Sequence, residues 1–276
     1  MRDLGYVEGK NIGIEYRFVE GNFDRLPDLA AELVRIKVDV IVTTGSPATH
    51  AAQQATRTIP IIMTVVGDPV PKFVATLAKP GGNITGLTQI APQLSGKRLE
   101  LLKEAFPKIS RVVVFDDGAL TAEQRSGNLR ETEMTAEALG IKVQALEVGG
   151  PNPDLESAFR TATSLRADAL AILPGPVQEL RRKRVVELAA KTRLPAIYPS
   201  SQFVEVGGLM SYAADIVDLY RRAATYVDKI LKGANPADLP VEQPTNFEFV
   251  INLKTANQIG LRIPPNVLAR ADRVIQ

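Results

Sequence analysis

The sequence has no cysteine, no tryptophan and a single histidine in 276 residues. Without cysteine there are no disulfides and no thiol chemistry, although the compartment stays open, because cysteine-free chains occur in reducing and oxidising locations alike. His50 has no second imidazole with which to hold a metal, and its place inside a helical pattern suits a surface or packing role better than general-base work. No apolar run approaches the roughly 18 residues that a bilayer span requires. Neither sign of charge dominates, with a formal net charge of +2. The one basic cluster, Arg181, Arg182, Lys183 and Arg184, reads as a solvated helix face, so nucleic acid is not expected as a partner.

Catalytic motifs are also missing. Neither G-x-G-x-x-G nor G-x-S-x-G occurs, which argues against a dinucleotide enzyme and a serine hydrolase. Gly96-Lys97 lies in APQLSGKRLELL, but Ala91 stands where a P-loop needs glycine and Arg98 where it needs Ser or Thr. No cofactor, no metal and no catalytic residue are expected. What is present is an ordinary globular composition, 45% hydrophobic and 23% charged, in a chain long enough for two cores.

Apolar runs and helical periods alternate along the chain. Strands are expected at 12–19, 38–44, 59–66 and 83–88, with helices at 23–36, 46–57 and 69–78 between them. A second series has strands at 111–116, 142–148, 167–173, 195–199 and 208–212, with helices at 121–139, 153–164 and 177–192. An amphipathic helix follows in DIVDLYRRAATYVDKILKG, then a proline-rich passage and a last strand near 247–251.

The two series are one unit used twice. RIKVDVIVTTGSPAT resembles SLRADALAILPGPVQ, with Asp39 matching Asp168 and Gly45 close to Gly175, and TIPIIMT resembles RLPAIYP, with Pro60 matching Pro195. The opening strand RVVVFDD of the second copy has no counterpart in the first, which starts at a point equivalent to 134–140. In a flavodoxin-like sheet of order 2-1-3-4-5 that strand lies in the middle. The natural gene product is therefore expected to carry roughly 30 or more residues upstream of Met1, a strand and its crossover helix, with a signal segment before them. Val38 to Val42, apolar throughout but for Asp39, are expected to form a strand buried on both faces.

Ligands of open α/β sheets bind at the carboxyl ends of the strands. In the first copy these ends carry Thr44, Gly45, Ser46 and Thr49, then Gly67 and Asp68. Ser46 is expected to cap its helix while the first backbone N–H groups hold a carboxylate. In the second copy the strand ends carry Asp116, Asp117, Gly175, Pro176, Ser200, Ser201 and Tyr212. Asp68 or Asp117 suits an ammonium group, and Phe115, Tyr198 or Tyr212 suits an apolar or aromatic body. Beside these stand structural readings: Ser46 and Asp68 as caps, Asp116 and Asp117 as turn residues, Tyr198 as core.

Several stretches in order resemble a known family: LGYVEGKNIGIEYRFVEGNFDRLPDLAAELV, VGDPVPKFVATLAKPGGNITGLT, LSGKRLELLKEAFP and the tail from GGLMSYAADIVDLY to LKTANQIGL. They resemble the ABC-transporter substrate-binding proteins related to tryptophan- and tyrosine-uptake binding proteins. That resemblance implies a type-1 periplasmic-binding-protein fold, two Rossmann-like lobes joined by a multi-strand hinge, at 1–90 plus 214–240 and 91–213 plus 241–276. It implies a periplasmic or extracytoplasmic solute carrier, handing a small carboxylate-bearing solute to a membrane permease after the lobes close on it. The loop LPGPV departs from the polar Thr-Asp-Asn loop of amino-acid-binding relatives, and its prolines cannot donate N–H groups, so a related organic acid stands beside an aromatic amino acid. The alternatives are the effector-sensing domain of a transcription regulator, built on the same scaffold, and an α/β enzyme of a type without a recognisable nucleophile and base.

Overall fold

A computed structural model describes residues 1–67, 70–117, 122–149 and 153–276; Asp68, one of the expected site residues, lies outside them, as do the first residues of the helices expected at 69–78 and 121–139. The chain divides into two compact units, 1–90 with 215–246 and 91–214 with 247–276, and it passes from one to the other three times.

The first unit opens with α1 (Leu26–Arg35), β1 (Ile41–Thr44), α2 (Gly45–Ala55), β2 (Ile61–Val66) and β3 (Ile84–Thr88). The second follows with α3 (Ala91–Ala105), β4 (Arg111–Asp116), α4 (Ala122–Leu139), β5 (Lys142–Glu147), α5 (Leu155–Ser164) and β6 (Ala169–Ile172). It continues through α6 (Pro176–Leu180), α7 (Arg182–Thr192), β7 (Ala196–Tyr198), α8 (Ser201–Glu205) and β8 (Met210–Ala214). The chain returns to the first unit for α9 (Ile216–Leu231), then gives the second unit β9 (Phe247–Asn252), α10 (Leu253–Gln258), α11 (Pro265–Leu268) and β10 (Arg273–Ile275).

The second unit is a complete three-layer sandwich. Its sheet runs β10-β9-β8-β7-β6-β4-β5, and every neighbouring pair is parallel except β8 with β9. Val112, Val114, Ala169 and Ala171 face Leu99 and Leu102 of α3 and Ala136 of α4, while Val113, Phe115, Leu170 and Ile172 face Phe159 of α5 and Val185 of α7. Both faces are dry because helices cover both, as an all-apolar parallel strand requires. Asp168 ties the lower edge together, since one carboxylate oxygen accepts from Ser110 N, Ser110 Oγ and Arg111 N, each at 2.9 Å.

The first unit holds a parallel sheet of three strands in the order β1-β2-β3. Ile41, Ile61, Met63 and Ile84 pack with Ala52 of α2. On the opposite face α9 presents the buried residues Leu219, Ala223 and Tyr226, and it lies over β2 and β3. Asp215 caps α9 by accepting from Asp218 N at 3.0 Å.

Several expectations need correction. Residues 12–19 form no strand beyond a bridge between Glu8 and Ile12, because among the described residues no strand takes the place that β4 holds beside β5 in the second unit. The strand expected at 38–44 is only Ile41–Thr44, and it is not buried on both faces: Val42 is 48% exposed, since no described helix corresponding to α4 covers that side of β1. The described part of 69–78 is a run of turns closed by Ala75 N to Pro80 O, 3.0 Å; Pro71 interrupts any helix, and the apolar period there reflects Phe73 and Val74 reaching the core. The helix expected at 177–192 is two helices broken at Arg181, with Arg182 Nη1 donating to the released Glu179 carbonyl at 2.9 Å.

Candidate functional site

In the first unit the end of β1 turns directly into α2. Gly45 takes φ +77°, a conformation an L side chain adopts only with strain, and this turns the chain into the helix in one residue. The cap is Thr44 and not Ser46: Ser46 is buried within the first turn, and Thr44 makes no side-chain bond to the helix. The Thr44 hydroxyl instead meets Tyr220 Oη of α9 at 3.0 Å and Thr64 Oγ1 at 3.3 Å. Thr49 is fully buried and closes the turn from within, donating to Gly45 O at 2.9 Å and meeting Thr43 Oγ1 at 2.8 Å. No acidic residue sits in the first turn of α2, so the positive end of the helix dipole, worth about 0.3–1 kcal/mol toward an anion, is not cancelled locally.

Next to it, β2 ends irregularly. Its register against β3 shifts between Met63 and Val66, and Val65 sits at φ +56°, where a β-branched residue is strained by about 1–3 kcal/mol. Thr88 Oγ1 holds the bend, donating to Val66 O at 2.8 Å and Gly67 O at 3.1 Å. Gly67 is thus fixed at a strand end.

In the second unit Asp116 ends β4, and Asp117, Gly175 and Ser200 follow β4, β6 and β7, whereas Tyr212, expected at a strand end, lies in the middle of β8 opposite Phe249, because that strand runs on to Ala214. Asp117 is fully buried, and its Oδ2 accepts from Gln178 N at 2.9 Å, so it anchors the first turn of α6. Gly175 is obligatory beside it, because a Cβ there would overlap the Asp117 side chain. Asp116 is buried, and its carbonyl accepts from Val148 N at 2.8 Å. Ser200 is 3% exposed at the start of α8. Phe115 and Tyr198 belong to the core, where burial raises the Tyr198 hydroxyl well above the usual phenol range. Among the three aromatic candidates only Tyr212 is partly open, with its ring stacked on Phe247 at 6.0 Å and edge-on to Phe249 at 6.4 Å.

Sequence reasoning missed Tyr220, Arg98 and Glu179. Arg98 is 3% exposed inside α3, with Nε donating to Tyr212 O at 2.8 Å and Nη2 to Pro199 O at 3.5 Å. Burial lowers its guanidinium to about 10, against the charge of Glu179. Burying a cation costs several kcal/mol, which the carbonyls of Tyr212 in β8 and Pro199 after β7 offset here. The signal was present: Arg98 falls on the stripe of Leu94, Leu101, Leu102 and Ala105, a charge on an apolar face. Glu179 is half-buried on α6. Burial holds its carboxyl above the usual range, against the Ser200 hydroxyl and the charges of Arg182 and Arg98.

No group of three or more acidic or histidine side chains fit for a metal occurs among the described residues. Each unit thus carries polar groups at or just after the carboxyl ends of parallel strands. The model of the family of ABC transporter substrate binding proteins matches residues 1–275. The chain belongs to that family. A tyrosine-binding protein of Clostridioides difficile strain R20291 is 27% identical over 267 residues, 95% of this chain and 74% of that protein. Among solved structures, an ABC domain of Streptococcus pneumoniae in complex with L-Trp is similar with a TM-score of 0.89 and 28% identity, over 99% of this substrate-binding protein and 91% of that chain. A conserved domain protein of Vibrio cholerae O1 biovar El Tor matches with a TM-score of 0.90 and 30% identity, over 99% and 90%. The fold is that of type-1 periplasmic binding proteins. No described helix is long and apolar enough to cross a membrane.

Proposed function

We propose that the protein is the extracytoplasmic solute-binding component of an ABC importer, and that its solute is a small carboxylate, either an aromatic amino acid or a related organic acid. The observation that carries the reading is the start of α2 at the end of β1. There Thr44, Gly45 and Ser46 meet a helix N-terminus without an acidic first turn, a natural seat for a carboxylate. Gly67 extends this half. Gly175, Ser200 and Tyr212 form the other, in which the Tyr212 ring provides the apolar wall. Relatives that bind tyrosine and carry L-Trp at 27% and 28% identity support an aromatic solute. The two units act as lobes that close on the solute, and the closed form is what a permease recognises.

A thermal-shift screen against amino acids, aromatic acids and short organic acids tests this. A solute at about 100 times its dissociation constant adds ~2.7 kcal/mol and raises the melting temperature. L-tyrosine, L-tryptophan or an aromatic carboxylate is expected to do so, and a response confined to nucleotides or cofactors would sink the proposal. Small-angle scattering with the responding solute should then show a smaller radius of gyration, and an unchanged one rules out closure.

A further inference from the structure

We propose that Glu179 is the specificity-determining acceptor for an ammonium group on the solute; this rests on the reading of the strand ends as the solute site. Glu179 lies one turn beyond Gly175, on the helix that leaves the end of β6. Glu179 is half-buried, and the groups that act on its carboxylate are the Ser200 hydroxyl after β7 and, through their charges, Arg182 of α7 and Arg98 of α3. Neither arginine pairs with it. Arg98 spends its donors on the carbonyls of Tyr212 and Pro199, and Arg182 Nη1 donates to the Glu179 backbone carbonyl. Their charges favour the ionised carboxylate from a distance, and no cation among the described residues reaches ion-pair distance.

A half-buried carboxylate without a direct counter-ion is an expensive arrangement, and a ligand cation removes the expense. The other carboxylates of this half are not available in the same way. Asp117 is fully buried against Gln178 N, and Asp116 is 7% exposed. The loop of Leu173, Pro174, Gly175 and Pro176 carries no acid of its own, so Glu179 supplies from the helix the negative charge that the loop lacks. The half-site would then distinguish an α-amino acid from the corresponding deaminated acid.

The test compares two matched pairs by calorimetry on the full chain: L-tyrosine with 3-(4-hydroxyphenyl)propionate, and L-tryptophan with 3-indolepropionate. Wild-type protein is expected to bind the amino acid of a pair at least tenfold more tightly. Glu179→Gln, which keeps the shape, should abolish that preference while leaving affinity for the deaminated acid within about twofold, and Glu179→Asp should restore part of it. A merely structural role would weaken both members of a pair alike, and that outcome overturns the assignment. If wild-type protein binds both members equally, the carboxylate-site reading stands and the Glu179 assignment alone falls. If it binds neither, the reading of the site fails and the assignment with it.

Discussion

Asp39 and Asp168 stand at the same place in the two copies of the repeat, and only one of them has something to hold. Asp168 gathers three donors from Ser110 and Arg111 at the start of β4, whereas Asp39 is exposed and has no such strand beside it. The backbones leading into them are alike: Arg166 and Lys37 both take the left-handed conformation, with φ +54° and +56°. The difference then spreads outward. In the second unit β4 pairs with β5 on one side and β6 on the other, and α4 helps to cover the sheet. In the first unit no described strand pairs with the outer edge of β1, and the segment resembling β5 leaves Ile14, Tyr16 and Phe18 exposed by 37%, 56% and 69%. A central strand thus does more than add its own contacts, since it gives both neighbours their edges and their burial.

The sharpest way to break this comparison is at the core. Phe115→Ala in β4 removes a ring that is 0% exposed and packed edge-on to Phe159 at 5.0 Å, and should cost about 3–5 kcal/mol in urea unfolding followed by circular dichroism. Val42→Ala, in the β1 position exposed on its outer face, should stay within about 0.5 kcal/mol. Equal losses would show that the two sheets are equally packed.

The two loop glycines give the next contrast. Gly175→Ala forces a methyl group against buried Asp117 and should cost about 1–3 kcal/mol. Gly45→Ala meets only Pro47 Cδ at 3.9 Å, and its penalty of about 1 kcal/mol comes from the positive φ alone. Thermal melts of both variants separate overlap from backbone strain; a larger loss at Gly45 would reverse the ranking.

The smallest effect lies in the aspartates. Burial pushes the Asp168 carboxyl up, but bonds from Ser110 N, Ser110 Oγ and Arg111 N, with the Arg111 charge, bring it below its ordinary value of 3.8. A depressed carboxylate contributes stability that is present above its unfolded pKa and lost as pH falls through the folded one. Asp168→Asn should therefore cost about 1–2 kcal/mol at pH 7, and the difference from wild type should shrink below about pH 4. Asp39→Asn should change nothing beyond about 0.5 kcal/mol at either pH. A pH-independent Asp168 effect would show that the bonds are not made by the charged form.

Much of the architecture could be read from local pattern. The strand at Arg111–Asp116 falls where its apolar run places it, and the alternation, the repeat and the closing helix α9 follow from period and capping residues. The errors cluster where pattern and partner part company. Residues 12–19 alternate like a strand, but a strand exists only by pairing, and the described residues offer it no neighbour. The turns after Val70 carry helical spacing because Phe73 and Val74 reach the core from a loop. In the candidate site Asp116, Asp117, Gly175 and Ser200 do lie at or just after strand ends, whereas Tyr212 sits in mid-strand and Glu179 was not singled out, because burial and hydrogen-bond direction are decided by elements far apart in the chain.

By itself, then, the order of residues determined where most strands and helices fall and that one unit is used twice, since these rest on local propensity and period, while particular stretches of it carried the family resemblance. Only the tertiary structure decided that Asp117 turns inward to hold α6, that Arg98 is spent on two backbone carbonyls, and that Glu179 is left half-buried without a paired cation among the described residues. Those outcomes depend on which groups meet across β4, β6, β7 and β8, and a carboxylate's role follows from what it meets.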